Sequence, residues 1–219
     1  GDLLDYLGTD QHTTGILLYV ESIKLARKFM SAARATARNK KVIVIKSGRM
    51  AEGAKAAASH TGALAGNDDV FDAAIRRAGM LRVYSIQNLF DAVETLAYVS
   101  GINGDRLIIL TNGGGIGVLA TDSLIDSGGR LAELAPKTIQ ALDEFLPVTW
   151  SGSNPVDIIG DSDAKRYVQA LKVLLDDPNY DAILVMLVPV AIIDNAEVAR
   201  AITEAINESH KPVLTCWMG

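Results

Sequence analysis

The sequence alternates between short apolar runs rich in β-branched residues and longer stretches with helical spacing. The short runs are typical of buried strands and lie at residues 16–20, 42–45, 107–110, 183–188 and 213–217. The longer stretches place apolar side chains on one helical face and lie at residues 23–38, 69–77, 86–99, 116–125, 136–145, 164–175 and 195–208. Strands that alternate with helices form parallel sheets covered on both faces. The pattern therefore predicts the α/β class.

The composition of the chain changes near its middle. All six prolines lie in the second half, from Pro136 to Pro212, and residues 100–105 read Ser-Gly-Ile-Asn-Gly-Asp, which is typical of a linker. We therefore predict two α/β domains, residues 1–102 and 103–219, each of an ordinary domain size. The chain opens on a predicted helix with no strand before it and stops two residues after its last predicted strand. We expect it to be a fragment of a larger protein.

Charge and cysteine content exclude several classes of function. The chain carries 21 Lys and Arg against 26 Asp and Glu, a formal net charge of −5, and such a surface repels the phosphate backbone of nucleic acids. Nucleic acid is therefore not an expected partner. The longest apolar run, residues 182–191, is too short to cross a bilayer, and the acidic amino terminus is not a signal peptide, so we expect no membrane partner and a cytoplasmic location. The single cysteine, Cys216, excludes a disulfide framework and a thiolate zinc site.

Residues 47–68 depart from the alternating pattern. They follow a predicted strand, so they lie at the carboxyl edge of a parallel sheet, where α/β folds bind their ligands. The segment is rich in glycine and other small residues, so we expect a loop of tight turns in which Ser47 and Gly48 approach a phosphate closely. In its second half, His60 is the side chain that suits nucleophilic or acid–base work at neutral pH.

Several interpretations of His60 are open on chemical grounds: a general base, a metal ligand, a phosphoryl carrier, or a loop histidine bonded to backbone groups. A metal site is not expected, because neither His12 nor His210 stands at a ligand spacing from it. A serine hydrolase is not expected, because the sequence has no Gly-x-Ser-x-Gly elbow. Glycines and hydroxyl groups around one nucleophilic nitrogen favour phosphoryl transfer, and the structural loop histidine stays open beside it.

A second glycine-rich turn follows the apolar run at residues 107–110. Asn112, Gly113, Gly114 and Gly115 lead from this predicted strand into a predicted helix, which leaves backbone N–H groups and the positive end of the helix dipole free for an anion. Neither the Gly-x-Gly-x-x-Gly fingerprint nor the Lys of a P-loop is present, so a dinucleotide or direct nucleotide site is not expected. Close packing of a helix on a sheet is the alternative reason for these glycines.

The string Ala-Ser-His-Thr-Gly-Ala-Leu-Ala-Gly at residues 58–66, with Asp-Val-Phe-Asp-Ala-Ala at 69–74 after it, resembles the phosphohistidine segment of nucleoside-diphosphate-forming acyl-CoA synthetases. These enzymes are relatives of succinyl-CoA synthetase, and the similarity extends along the whole chain, which implies two flavodoxin-like units. They interconvert an acyl-CoA, ADP and phosphate with the free acid, CoA and ATP. The resemblance implies that His60 carries the phosphoryl group and that Glu21, at the end of the predicted strand 16–20, orients its ring.

The same resemblance bears on the other candidate residues. Related synthetases have an Asn-Gly-x-Gly turn whose helix points at the phosphohistidine, which implies that Asn112 and the three glycines after it face phosphate. The segment Ser-Asn-Pro-Val-Asp at 153–157 is similar to another family motif and makes Asn154 and Asp157 candidate site-lining residues, although closing an Asx turn is the expected role of Asn154. Succinyl-CoA synthetases have paired glycines where this chain has residues 187–191, so succinate is not the expected acid.

For the full-length protein, the resemblance implies CoA or acyl-CoA, ADP or ATP, and Mg²⁺, although no recognisable motif in this chain binds them and no metal ligand is assigned. It also implies a CoA-binding domain and an ATP-grasp domain in the same or a partner chain, an oligomer, and no turnover by this chain alone. The alternative is the regulatory ligase-like region of an acyl-CoA-dependent protein lysine acetyltransferase, which residues 25–34 resemble. A third interpretation is an interaction module that senses an acyl-CoA-like ligand.

Overall fold

Each half of the chain forms its own parallel sheet, because helices between the apolar runs return the chain to the same end of the sheet. The computed structural model describes residues 1–61, 66–99, 102–191, 193–206, 209 and 211–218, except for the side chains of residues 57, 58, 60 and 61. The chain divides into two compact units, Gly1–Ser100 and Gly101–Gly219. The parallel sheets confirm the predicted α/β class. Among the described residues, no helix has the length and hydropathy needed to span a membrane.

The first unit alternates strands and helices. Its strands are β1 (Gly15–Val20), β2 (Lys41–Lys46) and β3 (Leu81–Val83), and its helices are α1 (Asp2–Thr9), α2 (Ala26–Ala37), α3 (Ala51–Thr61), α4 (Asp68–Arg77) and α5 (Ile86–Tyr98). The strands pair in the order β1-β2-β3, all parallel. The central strand β2 is buried on both faces, which is why its sequence is a continuous apolar run. On one face Val44 shares a core with Phe29 and Ile75, and on the other Ile43 shares a core with Leu89.

The segment between β2 and β3 differs from the expectation. Residues 51–61, expected to form a loop, form helix α3, so the prediction is wrong for them. Alanine has the highest helix propensity of the amino acids, and the alanines of this stretch outweigh the cost of Gly53. The sequence pattern also does not predict β3, because a strand of three residues with Arg82 at its centre shows too little apolar alternation.

The second unit alternates in the same way. Its strands are β4 (Arg106–Thr111), β5 (Arg130–Leu131), β6 (Val156–Asp157), β7 (Ala182–Leu187) and β8 (Val213–Trp217), and its helices are α6 (Gly114–Asp126), α7 (Pro136–Asp143), α8 (Ala164–Leu175) and α9 (Asn195–Ile206). The described strand pairs are parallel in the order β5-β4-β7-β8, and β6 also pairs with β4. The main core joins Leu110 and Val185 of the sheet to Tyr167 of α8.

Asn154 completes one edge of β4. Because β7 pairs along the other edge, β5 and β6 share this one, and a gap separates them. The Asn154 side chain fills the gap, since its Oδ1 accepts from the Ile109 N–H at 2.9 Å. Its Nδ2 donates to the carbonyls of Leu107 at 2.8 Å and Ala132 at 2.9 Å. The expected Asx turn of Asn154 is wrong, because its amide replaces a missing stretch of strand, and its site-lining role stays a prediction.

We predict that Asn154→Ala destabilises the second unit by about 3 kcal/mol, because it leaves backbone groups of the sheet without partners. Both tryptophans of the chain, Trp150 and Trp217, pack in this unit's core, so urea unfolding followed by tryptophan fluorescence reports on it. Ser153→Ala is the matched control, since this neighbouring hydroxyl is exposed, and its effect should stay within about 0.5 kcal/mol. Equal unfolding midpoints for the two variants would contradict this role of Asn154.

Candidate functional site

Two strand ends meet at the carboxyl edge of the first sheet. Glu21 directly follows β1, and Ser47 directly follows β2. The Ser47 N–H donates to the Val20 carbonyl at 3.0 Å, which continues the strand pairing by one residue. Glu21 is half-buried and lines a groove of about 330 Å³ together with Lys46 and Phe71. Glu21 is therefore placed at the sheet edge, where its carboxylate can accept a hydrogen bond from an incoming donor.

The turn after β2 leads the chain toward α3. Gly48 has a φ of +67°, a backbone conformation that favours glycine. The Ser47 hydroxyl is buried and has no hydrogen-bond partner within the part of the chain that the structure describes. Buried hydroxyls are nearly always bonded, so this one is available to a ligand that reaches the turn. The phosphate contacts of Ser47 and Gly48 stay predictions.

His60 lies in the last turn of α3, and its side chain lies outside the described residues. The backbone nevertheless shows that His60 is carried by the segment that leaves the sheet edge after Ser47 and returns at α4. The neighbouring Ser59 hydroxyl donates to the Lys55 carbonyl at 3.0 Å, as in an exposed helix. The expected contact between Glu21 and the imidazole stays a prediction.

An ion cluster that the sequence pattern does not predict lies at the same edge. Lys46 ends β2, Asp68 opens α4 and Arg82 lies in β3, and we call these three residues the base cluster. Lys46 Nζ lies 3.1 Å from Asp68 Oδ1, and Arg82 Nη2 donates to both Asp68 oxygens at 2.7 Å. The side chains of Lys46 and Arg82 are only 3% and 4% exposed. The sequence signal for the cluster is a lysine that directly follows an apolar run.

Asp68 and Arg82 of the base cluster are held in their charged forms. Burial alone would raise the pKa of Asp68, but hydrogen bonds from Arg82 and Lys46 outweigh it and hold that pKa below its ordinary value. Burial acts in the same way on Asp72, and hydrogen bonds from Arg76 and Arg82 again lower the pKa. The pKa of Arg82 is raised, because its hydrogen bonds to the two carboxylates outweigh its own burial. The buried cations are therefore paired with carboxylates that stay charged.

In the second unit, Asn112 directly follows β4 and is 3% exposed. Its Nδ2 donates to the Val188 carbonyl at 2.9 Å, and its Oδ1 accepts from the Val188 N–H at 2.8 Å. The amide therefore acts like one more residue in the pairing of β4 with β7. Val188 engages Oδ1 and one hydrogen of Nδ2, and the phosphate contact of Asn112 stays a prediction. This partner is 76 residues away in sequence, so no local pattern could reveal it.

Helix α6 begins at Gly114, and no side chain caps its first turn. The first N–H groups of a helix have no partner within it, so an uncapped start can donate to an anion. A Cβ on Gly115 would meet nothing within 4 Å in the described part of the chain, so this side of the turn is open. Gly113 is less available, because its N–H donates to the Thr111 hydroxyl at 3.0 Å. The phosphate contacts of Gly113, Gly114 and Gly115 stay predictions.

Asp157 lies against the start of α6. A Cβ on Gly114 would lie 2.8 Å from Asp157 Oδ2, so this close approach requires glycine. Asp157 Oδ1 accepts from the Ile159 N–H at 2.9 Å. Ile159 has a φ of +73°, which is strained for a β-branched residue, and such strain is concentrated at functional sites. The structure brings Asp157 and Gly114 together, and the site-lining role of Asp157 stays a prediction.

Comparison with known proteins gives matches over both units. Residues 1–96 match the family of succinyl-CoA ligase like flavodoxin domains, and residues 107–216 match the family of Ligase-CoA domains. The chain is 40% identical to the alpha subunit of acetate–CoA ligase (ADP-forming) I from Pyrococcus furiosus and 42% identical to acetate–CoA ligase (ADP-forming) I from Archaeoglobus fulgidus. Both alignments cover 100% of this chain but 47% and 31% of those proteins, so the chain spans about half their length or less.

A solved structure is similar over the whole chain. It is the dinucleotide forming acetyl-coenzyme A synthetase 1 of Ca. Korarchaeum cryptofilum in complex with phosphate and ADP. The TM-score is 0.90 at 37% sequence identity, and the match covers 100% of this chain and 48% of that one. The likeness therefore includes both fold and sequence.

We predict opposite effects for two neighbouring substitutions in the first turn of α6. Gly114→Ala should lower the stability of the second unit by about 1–3 kcal/mol, because the new methyl group meets Asp157 Oδ2. Gly115→Ala should leave stability unchanged or raise it by up to about 1 kcal/mol, because its methyl group has open space and alanine favours a helix. Urea unfolding with tryptophan fluorescence checks both, and equal losses would contradict the close approach of Asp157.

Proposed function

Because the chain belongs to the family of Ligase-CoA domains, we propose that it forms the phosphoryl-carrying part of an ADP-forming acyl-CoA synthetase. The curated relatives that match its whole length include two ADP-forming acetate–CoA ligases and an ADP-forming 4-hydroxybutyrate–CoA ligase. The observation that carries the proposal is the pairing of β1 and β2, which puts Glu21 and Ser47 side by side at the edge from which the His60 segment leaves.

The reaction proceeds in three transfers. Inorganic phosphate attacks the thioester carbonyl of acyl-CoA, the C–S bond breaks, and CoA leaves as an acyl phosphate forms. A ring nitrogen of His60 then attacks phosphorus, the P–O bond to the acyl group breaks, and the carboxylate leaves with the electron pair. An oxygen of the ADP β-phosphate attacks the phosphohistidine, the P–N bond breaks, and ATP forms.

Glu21 acts as a positioning residue in this scheme. Its carboxylate accepts a hydrogen bond from the ring N–H of His60, so the other ring nitrogen keeps its lone pair for attack on phosphorus. The same carboxylate stabilises the positive charge that the ring gains as the P–N bond forms. The place of Glu21 at a strand end supports this role, because a rigid sheet edge holds the acceptor still.

Each unit has backbone or hydroxyl donors that bind a phosphoryl group. In the first unit, the buried Ser47 hydroxyl and the turn at Gly48 supply donors, and the unpaired state of that hydroxyl among the described residues supports this assignment. In the second unit, the first-turn N–H groups of α6 supply them, on the open side near Gly115 rather than beside the Asp157 carboxylate. The side chains of Asn112 and Asn154 bond to backbone groups of the sheet.

CoA and ADP are the substrates that the proposed reaction requires. The described residues include no cluster of three or more His, Cys, Asp or Glu side chains, so their donor set does not fit a protein-built Mg²⁺ cage. We assign no metal ligand to this chain. The family relationship supports a CoA-binding domain and an ATP-grasp domain as partners in the same or another chain. It also supports assembly into an oligomer and a cytoplasmic location.

The acetyltransferase alternative is not favoured. Three relatives that are 38–42% identical to the chain are ADP-forming acetate–CoA ligases, and none of their names refers to protein acetylation. The acyl group is not assigned, because the relatives' names include acetate, 4-hydroxybutyrate and trans-feruloyl.

We predict that the full-length protein, with its ATP-binding domain or subunit, takes an acid-labile and base-stable label from γ-labelled ATP. His60→Asn should abolish the label, because asparagine has no nucleophilic ring nitrogen. Glu21→Gln should slow labelling by about a hundredfold, because the ring loses its charged acceptor. Glu52→Gln, an exposed carboxylate in the first turn of α3, is the control and should label like the wild type. Label that persists in His60→Asn would overturn the proposed function.

A further inference from the structure

Lys46 connects the two ends of the segment that carries His60. It is the last residue before the segment leaves β2, and its ammonium group reaches the residues at which the chain enters α4. Lys46 Nζ donates to the Gly66 carbonyl at 3.3 Å and to Asp68 Oδ1 at 3.1 Å. The start and the end of the histidine segment are therefore bonded directly to each other.

The contacts of Lys46 distinguish it from an ordinary core residue. Residues 42–45 of β2 are apolar, and burying an ammonium group at the end of such a run costs desolvation energy that an apolar side chain would not. Its hydrogen bonds go to the returning end of the segment at Gly66 and Asp68. The Asp68 carboxylate does not need Lys46 for its own pairing, because Arg82 already binds both of its oxygens. The specific effect of Lys46 is the closure of the segment.

Closure of this kind is a positioning effect. A segment with both ends fixed at one point reaches a narrower range of positions than one fixed at a single end. Phosphoryl transfer needs the attacking nitrogen within a few tenths of an ångström of its required place, and small misplacements cost large factors in rate. The buried side chains of Lys46 and Arg82 both bond to Asp68, which fixes the point at which the segment returns to the sheet edge.

We propose that Lys46, acting through Asp68 and Gly66, is a positioning residue that presents His60 to enzyme-bound phosphoryl donors. This inference rests on the proposed function, since it requires that His60 carries phosphate. It predicts that Lys46 affects the delivery of the imidazole and not its intrinsic reactivity. Delivery and reactivity can be separated by comparing a phosphoryl donor that the enzyme binds with a small donor that diffuses freely.

The test uses the full-length protein with two phosphoryl donors. ATP is held by the enzyme, so transfer from it depends on the position of His60. Phosphoramidate diffuses freely: a ring nitrogen attacks its phosphorus, the P–N bond of the donor breaks, and ammonia leaves with a proton. Lys46→Met should slow His60 labelling from ATP by about ten- to a hundredfold and leave labelling from phosphoramidate within about twofold. Asp72→Asn is the control, since it removes a carboxylate that contacts Arg82 but not Lys46, and both of its rates should match the wild type.

The outcomes separate the two proposals. A wild-type protein that takes no label on His60 from ATP overturns the proposed function. A labelled wild type with a Lys46→Met variant that labels equally fast from ATP overturns the positioning role. Equal slowing with both donors overturns it as well, because the ring itself would then be altered. If circular dichroism shows that Lys46→Met does not fold, Lys46→Gln replaces it, because its shorter, uncharged side chain lacks the ammonium group that bonds to Gly66 and Asp68, and the same two rates decide.

Discussion

The parallel pairing of β1 with β2 is the interaction on which the proposed chemistry of the first unit depends. It runs through the whole of both strands and continues to the hydrogen bond between the Ser47 N–H and the Val20 carbonyl. Glu21 and Ser47 therefore emerge as neighbours at one edge, as the carboxyl ends of parallel strands do. Lys46 directly precedes Ser47 at this edge, and its ammonium group bonds to Asp68. One backbone register thus places Glu21, the proposed acceptor for His60, beside Ser47 and beside Lys46, the proposed anchor of the segment.

The second unit uses asparagine side chains where strands alone do not complete the sheet. Asn112 extends the pairing of β4 with β7, and Asn154 fills the gap between β5 and β6 on the other edge. Each amide supplies a donor and an acceptor in the plane of a peptide group, so it substitutes for backbone. Strand β4 is consequently bonded along both edges up to the glycine turn. The first backbone N–H groups of α6, which no side chain caps, are donors that this turn can offer to an anion.

Local patterns in the sequence predict the class of the fold and its long strands, because continuous apolar runs such as β2 and β7 have few alternatives in a chain of this composition. They do not predict β3, β5 or β6, which are too short to show a period. The roles of Asn112 and Asn154 depend on partners 76 and 45 residues away, so they follow only from the assembled sheet. Helix α3 is not predicted either, because glycine and other small residues are typical of loops, although alanine is the strongest helix former. The base cluster joins residues of three separate elements, so local patterns do not predict it. Its one signal in the sequence is a lysine that directly follows an apolar run.

The claim that Glu21 orients a phosphorylated His60 is tested most directly by the identity of the ring nitrogen that carries phosphorus. Nitrogen NMR of the full-length protein, labelled with ¹⁵N-histidine and phosphorylated by ATP, distinguishes the two ring positions. Our account predicts that His60 is phosphorylated on one ring nitrogen alone, because the N–H of the other ring nitrogen donates a hydrogen bond to the Glu21 carboxylate. It also predicts that Glu21→Gln yields both isomers. A mixture of isomers in the wild-type protein, or phosphate on a different residue, would contradict it.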